Sequence, residues 1–337
     1  MRTDKRAAVG VEIAASAARI ALVDGGGTVR FRTEAKTLKG RPVVATLEPY
    51  LRAIDQAMVH AEREGLAVAG LGVSLPGTID PSARRPLSIP VLPSLNHFPL
   101  CDLLEARYSL PAQLHVDVDA ALLGEHRFGV GKGFKRILFI TVNAVVGAAL
   151  VIDGKIDRDS TKYVGHVSHL LVSSSGPRCS CGKRGCINTL VSMEAMQKMV
   201  KRAVLRGQET SLLERLNNRE CFTPQLLAEE AIRGDVVAAQ VYDEIGRLLG
   251  MAAFQYITIF EPDTLILGGK MLGSYASEIV SKQVNALCLN RASTCVREIV
   301  KIVPARLGDD ASLIGSVAAL FDPKASRMAT VSSRSCG

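Results

Sequence analysis

The chain opens with three short segments of strand-like pattern. AAVGVEIA is an apolar run, ARIALVD alternates, and TVRFRTEAKT alternates again. Tight, small-residue turns separate them, so they predict a three-stranded meander. Leu47, Leu51, Ile54 and Met58 then fall at helical spacing between Ala45 and Gly65. VAGLGVSLPG predicts a buried strand with a Pro-Gly turn, PLCDLLEARYSLP a short helix, AQLHVDVDA another strand, and AALLGEHRFG a helix stopped by Gly129. RILFITVNAVVGAALVIDGKI predicts a strand, a turn, a second strand and a hairpin. An irregular stretch follows over 155–190. Helices are expected over Ser192–Arg206, over Thr223–Arg233 with a Thr223 cap and Pro224 at the first position, and over Asp235–Ile259. A strand DTLILGG, a helix over 276–289, a strand EIVKIVPA and a helix over 310–320 complete the pattern, and 323–337 reads as a flexible tail. A meander with helices and crossovers, followed by the same theme again, predicts an α/β fold of two lobes.

At 337 residues and 47% apolar the chain can bury cores for two ordinary domains. No run reaches the roughly 18 apolar residues of a membrane span, and MRTDKRAAVGVEIAAS lacks a signal-peptide core. A soluble, cytoplasmic protein with no membrane partner is expected. The net charge of +8 is scattered, with only short clusters such as GKGFKR and KMVKR, and reads as solvated surface. There is no helix-turn-helix segment or RNA-binding signature, so this chain is not expected to bind DNA on its own. Among eight cysteines, Cys179, Cys181 and Cys186 crowd together, which in a cytosolic chain points to metal rather than disulfides. Asp24-Gly25-Gly26-Gly27-Thr28 spells a D-x-G-G-T phosphate loop, yet it also suits a hairpin turn.

Several stretches together resemble the ROK family of bacterial sugar kinases and sugar-responsive repressors. They are GVSLPGTID (72–80), LGEHRFGVGKG (123–133), VPARLGDDASLIGSVAAL (303–320) and, most specifically, GHVSHLLVSSSGPRCSCGKRGC. The resemblance runs from about Ala8 to Leu320. It implies the two-lobe, actin-like and ribonuclease-H-like ATPase fold with ATP and sugar in the cleft. The lobes are expected at 1–121 plus 306–322 and at 122–305, the latter with a zinc loop over 165–190. Repressor members carry an N-terminal DNA-binding domain. This chain starts at the first strand, and that domain is expected to be missing.

His169, Cys179, Cys181 and Cys186 match the family's zinc motif in spacing, and three thiolates with one imidazole fill a structural tetrahedral site. Gly182 and Gly185 let the backbone turn tightly around the ion. The family's phosphate loop follows the first strand, roughly 60 residues before the G-V-S-x-P-G turn. Gly72 lies 60 residues after Glu12 but only 48 after Asp24, so the loop is expected at Glu12–Ser16 and the Asp24 stretch becomes a turn. There the family's glycines are replaced by Ala14 and Ala15, whose β-carbons hinder a close approach of phosphate, while Glu12 keeps a carboxylate near the Mg²⁺ position and Ser16 a hydroxyl. The second loop, G-T-G-x-G in the family, reads Asn143-Ala144-Val145-Val146-Gly147, so Gly147 alone is kept. Gly268 and Gly269 resemble the adenine-side motif, with Lys270 in place of a third glycine.

On the sugar side, the resemblance puts Asp117 on the general-base position and His169 on a sugar contact. Val91, Val116, His166 and Asn188 stand where the family has sugar-binding Asn or Glu residues, and Leu95 where it has Trp. The candidate substrate-binding set is therefore Asp117, His166, His169 and Asn188. Phosphoryl transfer is mostly positioning and electrostatics, so weakened loops and a weakened sugar site count against efficient catalysis. A regulatory or ligand-binding protein is the expected function. It would carry structural zinc, bind a sugar or sugar-like molecule and form a homodimer or homotetramer. The rival is an ATP-dependent sugar kinase, glucokinase-like or N-acetylhexosamine kinase-like, which would add Mg-ATP as cofactor. A third reading is a transcriptional regulator acting with a partner.

Overall fold

The opening meander is present in the computed structural model. Strands β1 (Arg6–Ile13), β2 (Ala17–Asp24) and β3 (Val29–Lys36) pair antiparallel in sequence. The amphipathic stretch that follows forms α1 (Val43–Arg63), which buries Leu47, Tyr50 and Ile54. Next come β4 (Ala67–Leu75), a small hairpin of β5 (Thr78–Asp80) and β6 (Arg85–Ser88), α2 (Leu100–Tyr108), β7 (Ala112–Val116) and α3 (Asp117–Arg127). The sheet order is β3-β2-β1-β4-β7, with β4 parallel to both β1 and β7. The structure describes residues 5–80, 82, 84–143, 145–156, 164–218, 220–272, 278–286 and 300–322, with the backbone alone for 164–166.

The chain divides into two units, one of residues up to Gly129 with those from Asp310 onward, the other Val130–Asp309. In the first unit the segment after Asp310 packs straight onto the sheet, which only glycine permits. A β-carbon on Gly10 would stand 2.6 Å from the Leu313 carbonyl oxygen, and one on Gly72 2.1 Å from that of Ser316. On α3, a β-carbon on Gly124 would stand 2.6 Å from the carbonyl oxygen of Ala311. These contacts place the whole of α3 in the first unit, so the division falls at 129/130 and 309/310 rather than after 121 and 305. The expected tail over 323–337 lies outside the described residues.

The second unit repeats the theme. Strands β8 (Arg136–Val142), β9 (Val146–Ile152) and β10 (Lys155–Ile156) form the meander, and β11 (Thr264–Gly268) and β12 (Lys301–Pro304) add parallel strands in the order β10-β9-β8-β11-β12. Its helices are α4 (Ile187–Val191), α5 (Met193–Leu205), α6 (Leu212–Asn217), α7 (Pro224–Ile232) and α8 (Val236–Phe260). Three start at capped positions, where Ser192 accepts the Ala195 N–H, Thr223 the Leu226 N–H and Asp235 the Ala238 N–H. Residues 278–286 are helical, and the ends expected for that helix lie outside the described residues. No helix among the described residues is long and apolar enough to cross a membrane.

Two elements differ from the sequence pattern. The strand read through AQLHVDVDA stops at Val116, and Asp117 begins α3. Asp117 and Asp119 in its first turn suit the positive end of the helix. The helix expected over 310–320 is broken into a helix Ala311–Gly315 and a 3-10 turn Ala318–Phe321. The Ser316 hydroxyl bonds back to the Leu313 carbonyl at 2.8 Å where the chain meets Gly72. The hairpin β5–β6 and helix α6 had no clear signal in the pattern.

Candidate functional site

Four ligand-bearing residues converge in the second unit. His169 ends a 3-10 helix (Val164–His169), and Cys179, Cys181 and Cys186 lie on the loop that follows. Isolated bridges Leu171↔Cys186 and Arg178↔Arg184 fold this loop back on itself. The Cys179–Lys183 turn is closed by Cys179 N–H to Lys183 O and Gly182 N–H to Cys179 O. Gly182 and Gly185 both have positive φ, 89° and 74°. A β-carbon on Gly185 would lie 1.8 Å from the Ser173 carbonyl oxygen, so the close approach there requires glycine.

The four donor atoms all lie within 4.8 Å of one another. Cys181 Sγ is 3.6 Å from Cys186 Sγ, and Cys179 Sγ is 3.3 Å from His169 Nδ1. Ligands about 2.3 Å from a tetrahedral ion stand about 3.7 Å apart, so the set fits a thiophilic cation with no open position. Hydrogen bonding, led by the Cys181 backbone N–H, lowers the Cys179 thiol to about 6, whereas burial pushes Cys186 up to about 12. Metal binding would deprotonate Cys186 as well.

The Asp24–Thr28 stretch is the β2–β3 turn. Asp24 Oδ1 accepts the N–H groups of Gly26 and Thr28, and Gly27 has φ 85°. Glu12 and Ser16 flank the β1–β2 turn, which Thr37 ties down by donating its hydroxyl to Ala14 O and its N–H to Ser16 O. Glu12 is ion-paired with Arg19, its register partner on β2. Arg19 was not singled out from the sequence, although a tight hairpin through Ala14–Ser16 sets it opposite Glu12.

The β8–β9 turn is stitched internally. Asn143 accepts the Lys270 N–H through its side-chain oxygen at 2.7 Å and donates to the Thr141 hydroxyl at 3.1 Å. The Asn188 side-chain oxygen accepts the Val146 N–H at 2.9 Å. Gly147 sits in the β8–β9 ladder opposite Thr141. Gly269, at φ 108°, abuts β8 so closely that a β-carbon would lie 2.3 Å from Val142 O, and Gly268 packs on Phe139 and Ala305. A cleft of about 720 Å³ in this unit is lined by Asn143, Asn188, Thr223, Lys270, Met271 and Arg178 among others. Lys270 and Arg178 were likewise not singled out as ligand contacts.

In the first unit Asp117 is raised to about 6, chiefly by burial and further by the nearby charges of Glu12 and Asp119, against a hydrogen bond from the Val118 N–H. A carboxyl so raised suits proton transfer near neutral pH. The His166 side chain lies outside the described residues.

The chain belongs to the ROK family, whose family model matches residues 8–322. It is 25% identical over 310 residues to a xylose repressor of Caldicellulosiruptor bescii, covering 92% of this chain and 77% of the repressor. It is also 25% identical over 308 residues to a glucokinase of Thermotoga maritima, covering 91% of this chain and 95% of that enzyme. Among solved structures it resembles a ROK family glucokinase from Streptomyces griseus in complex with glucose and AMPPNP, with a TM-score of 0.76 and 25% identity over 92% of this chain and 97% of that one. The fold is the actin-like ATPase fold of the ROK sugar kinases.

Proposed function

We propose that this ROK-family member is a ligand-binding, regulatory protein that transfers phosphoryl groups poorly or not at all. The observation that carries the reading is the internally bonded β8–β9 turn. The Val146 N–H, in the loop that the family resemblance assigns to phosphate, is taken by the Asn188 carboxamide, and the Lys270 N–H, in the adenine-side motif, by the carboxamide of the loop's Asn143. A phosphate arriving there meets side-chain amides instead of free backbone donors. The expected ligand is a sugar or sugar-like molecule, the class represented by the glucose held in the Streptomyces griseus enzyme. His169, Cys179, Cys181 and Cys186 hold zinc, which orders the loop and leaves no position for reactive water. The protein works as a homodimer or homotetramer.

The rival reading is an ATP-dependent sugar kinase. It is favoured by the half-buried Asp117, whose raised carboxyl suits a general base toward a sugar hydroxyl. Regulation of transcription through a partner is a further reading, favoured by the similarity to the xylose repressor.

Calorimetry with Mg-ATP, and separately with glucose, N-acetylglucosamine, N-acetylmannosamine and deoxysugars, tests the reading. The expected result is measurable sugar binding with ATP binding of about millimolar Kd or weaker. Micromolar ATP binding, or ATP-dependent phosphorylation that Asp117→Asn abolishes, would establish the kinase instead.

A further inference from the structure

Glu12 is not a free carboxylate at the β1–β2 turn. Its Oε2 accepts both Nε and Nη2 of Arg19, and the two side chains are each only 15% exposed. The remaining arm of the guanidinium, Nη1, reaches Asp310 Oδ1 at 3.1 Å. The other oxygen of Asp310 accepts Arg32 Nη2 at 2.5 Å. Two carboxylates and two guanidiniums thus form one continuous line, Glu12–Arg19–Asp310–Arg32, across β1, β2, β3 and the start of the C-terminal segment. The acidic groups Asp117 and Glu12 are close enough to repel each other, yet the cation that balances Glu12 belongs to the protein.

We infer that Arg19 is a built-in counter-ion that replaces the divalent cation at this turn, so that the Glu12 carboxylate does not take Mg²⁺. The residues here do not fit a Mg-nucleotide. A divalent ion at Glu12 would have to displace a fork that is bonded to two carboxylates, and it would sit against a guanidinium that stays charged at every physiological pH. The inference deepens the ligand-binding reading, since it concerns the other loop that would meet a nucleotide. It rests on ion pairs that the β8–β9 turn does not share.

The test uses Mn²⁺ alone, with the full-length, zinc-replete protein and neither nucleotide nor sugar, read by the free-ion electron paramagnetic resonance signal. In the unaltered chain, Glu12→Gln is expected to leave Mn²⁺ affinity unchanged. Arg19→Met keeps most of the stem and removes the charge. It is expected to tighten Mn²⁺ binding at least about tenfold, and the gain is expected to vanish in the double variant Glu12→Gln/Arg19→Met. Arg19→Lys keeps a cation and is expected to show no gain. If Glu12→Gln weakens Mn²⁺ binding in the otherwise unaltered chain, Glu12 is already a metal ligand and the inference is overturned. A folded Arg19→Met chain with no gain overturns it too. Should Arg19→Met fail to fold, the Glu12→Gln comparison decides alone. Micromolar ATP binding together with an unchanged Mn²⁺ affinity in Glu12→Gln overturns the ligand-binding reading and leaves this inference standing.

Discussion

The side-chain oxygen of Asn143 accepts the backbone N–H of Lys270 at 2.7 Å, a bond between positions 127 apart in the chain. It joins the β8–β9 turn to the residue that follows Gly268 and Gly269. With the second bond from Asn143 to Thr141, one carboxamide fixes the spacing of two loops. Asn143→Gly removes both bonds, and is expected to cost about 1–2 kcal/mol of stability, read from the urea midpoint. The same change frees the Lys270 N–H, so Mg-ATP affinity is expected to rise. A variant that loses stability and gains no nucleotide affinity would argue against the loop reasoning.

The metal-binding loop gives a paired test of backbone and space. Gly185→Ala forces a β-carbon against the Ser173 carbonyl at 1.8 Å on top of a positive φ. Gly182→Ala meets only the φ penalty, because nothing lies within 4 Å of its β-carbon. The expected loss is roughly 1–2 kcal/mol for Gly182→Ala and clearly more for Gly185→Ala. Equal losses in thermal melts would mean that the Ser173–Gly185 approach is unimportant to the loop.

Elemental analysis of protein never exposed to chelator is expected to find one zinc per chain. Cys181→Ser leaves three donors of the four and is expected to lose the ion and open the loop to proteolysis between Gly176 and Cys186, since metal-binding energy at such a site is folding energy. Protein with no bound metal and a protease-resistant loop would contradict the assignment.

Asp117 predicts a pH dependence of definite sign. Its folded carboxyl is raised to about 6 by burial, above the ordinary value of about 3.9 for an unfolded chain. The folded state therefore holds the proton more tightly. The stabilising contribution of protonated Asp117 is fully present below about pH 4 and is lost as pH rises through about 6. Asp117→Asn keeps the size without the charge, so it is expected to stabilise the protein at pH 7 by about 1–3 kcal/mol while leaving it nearly unchanged at pH 4. A variant less stable than the parent at pH 7, in denaturant titrations run at both pH values, would show that the ionised carboxylate is supported by its surroundings.

The sequence by itself determined the features that depend on near neighbours. The metal ligands lie within His169–Cys186, and the glycines that bend their loop lie among them; the three cysteines stood out by their crowding, and the resemblance to the family's zinc motif added His169. The three-stranded meanders and the Thr223 cap were legible for the same reason, because strand alternation and helix capping are contacts over a few residues. The Asp24–Thr28 stretch was ambiguous by spelling; the count back from Gly72 made it a turn, and the strand register agrees. What the tertiary structure decided was which polar group answers which. Arg19 meets Asp310 across 291 positions, Asn188 turns to the Val146 N–H, and helix 310–320 breaks where Ser316 rests on Gly72. Each of these depends on distant segments arriving together. A buried or half-buried donor, acceptor or charge must find a partner at that meeting, and no local pattern records which one it finds.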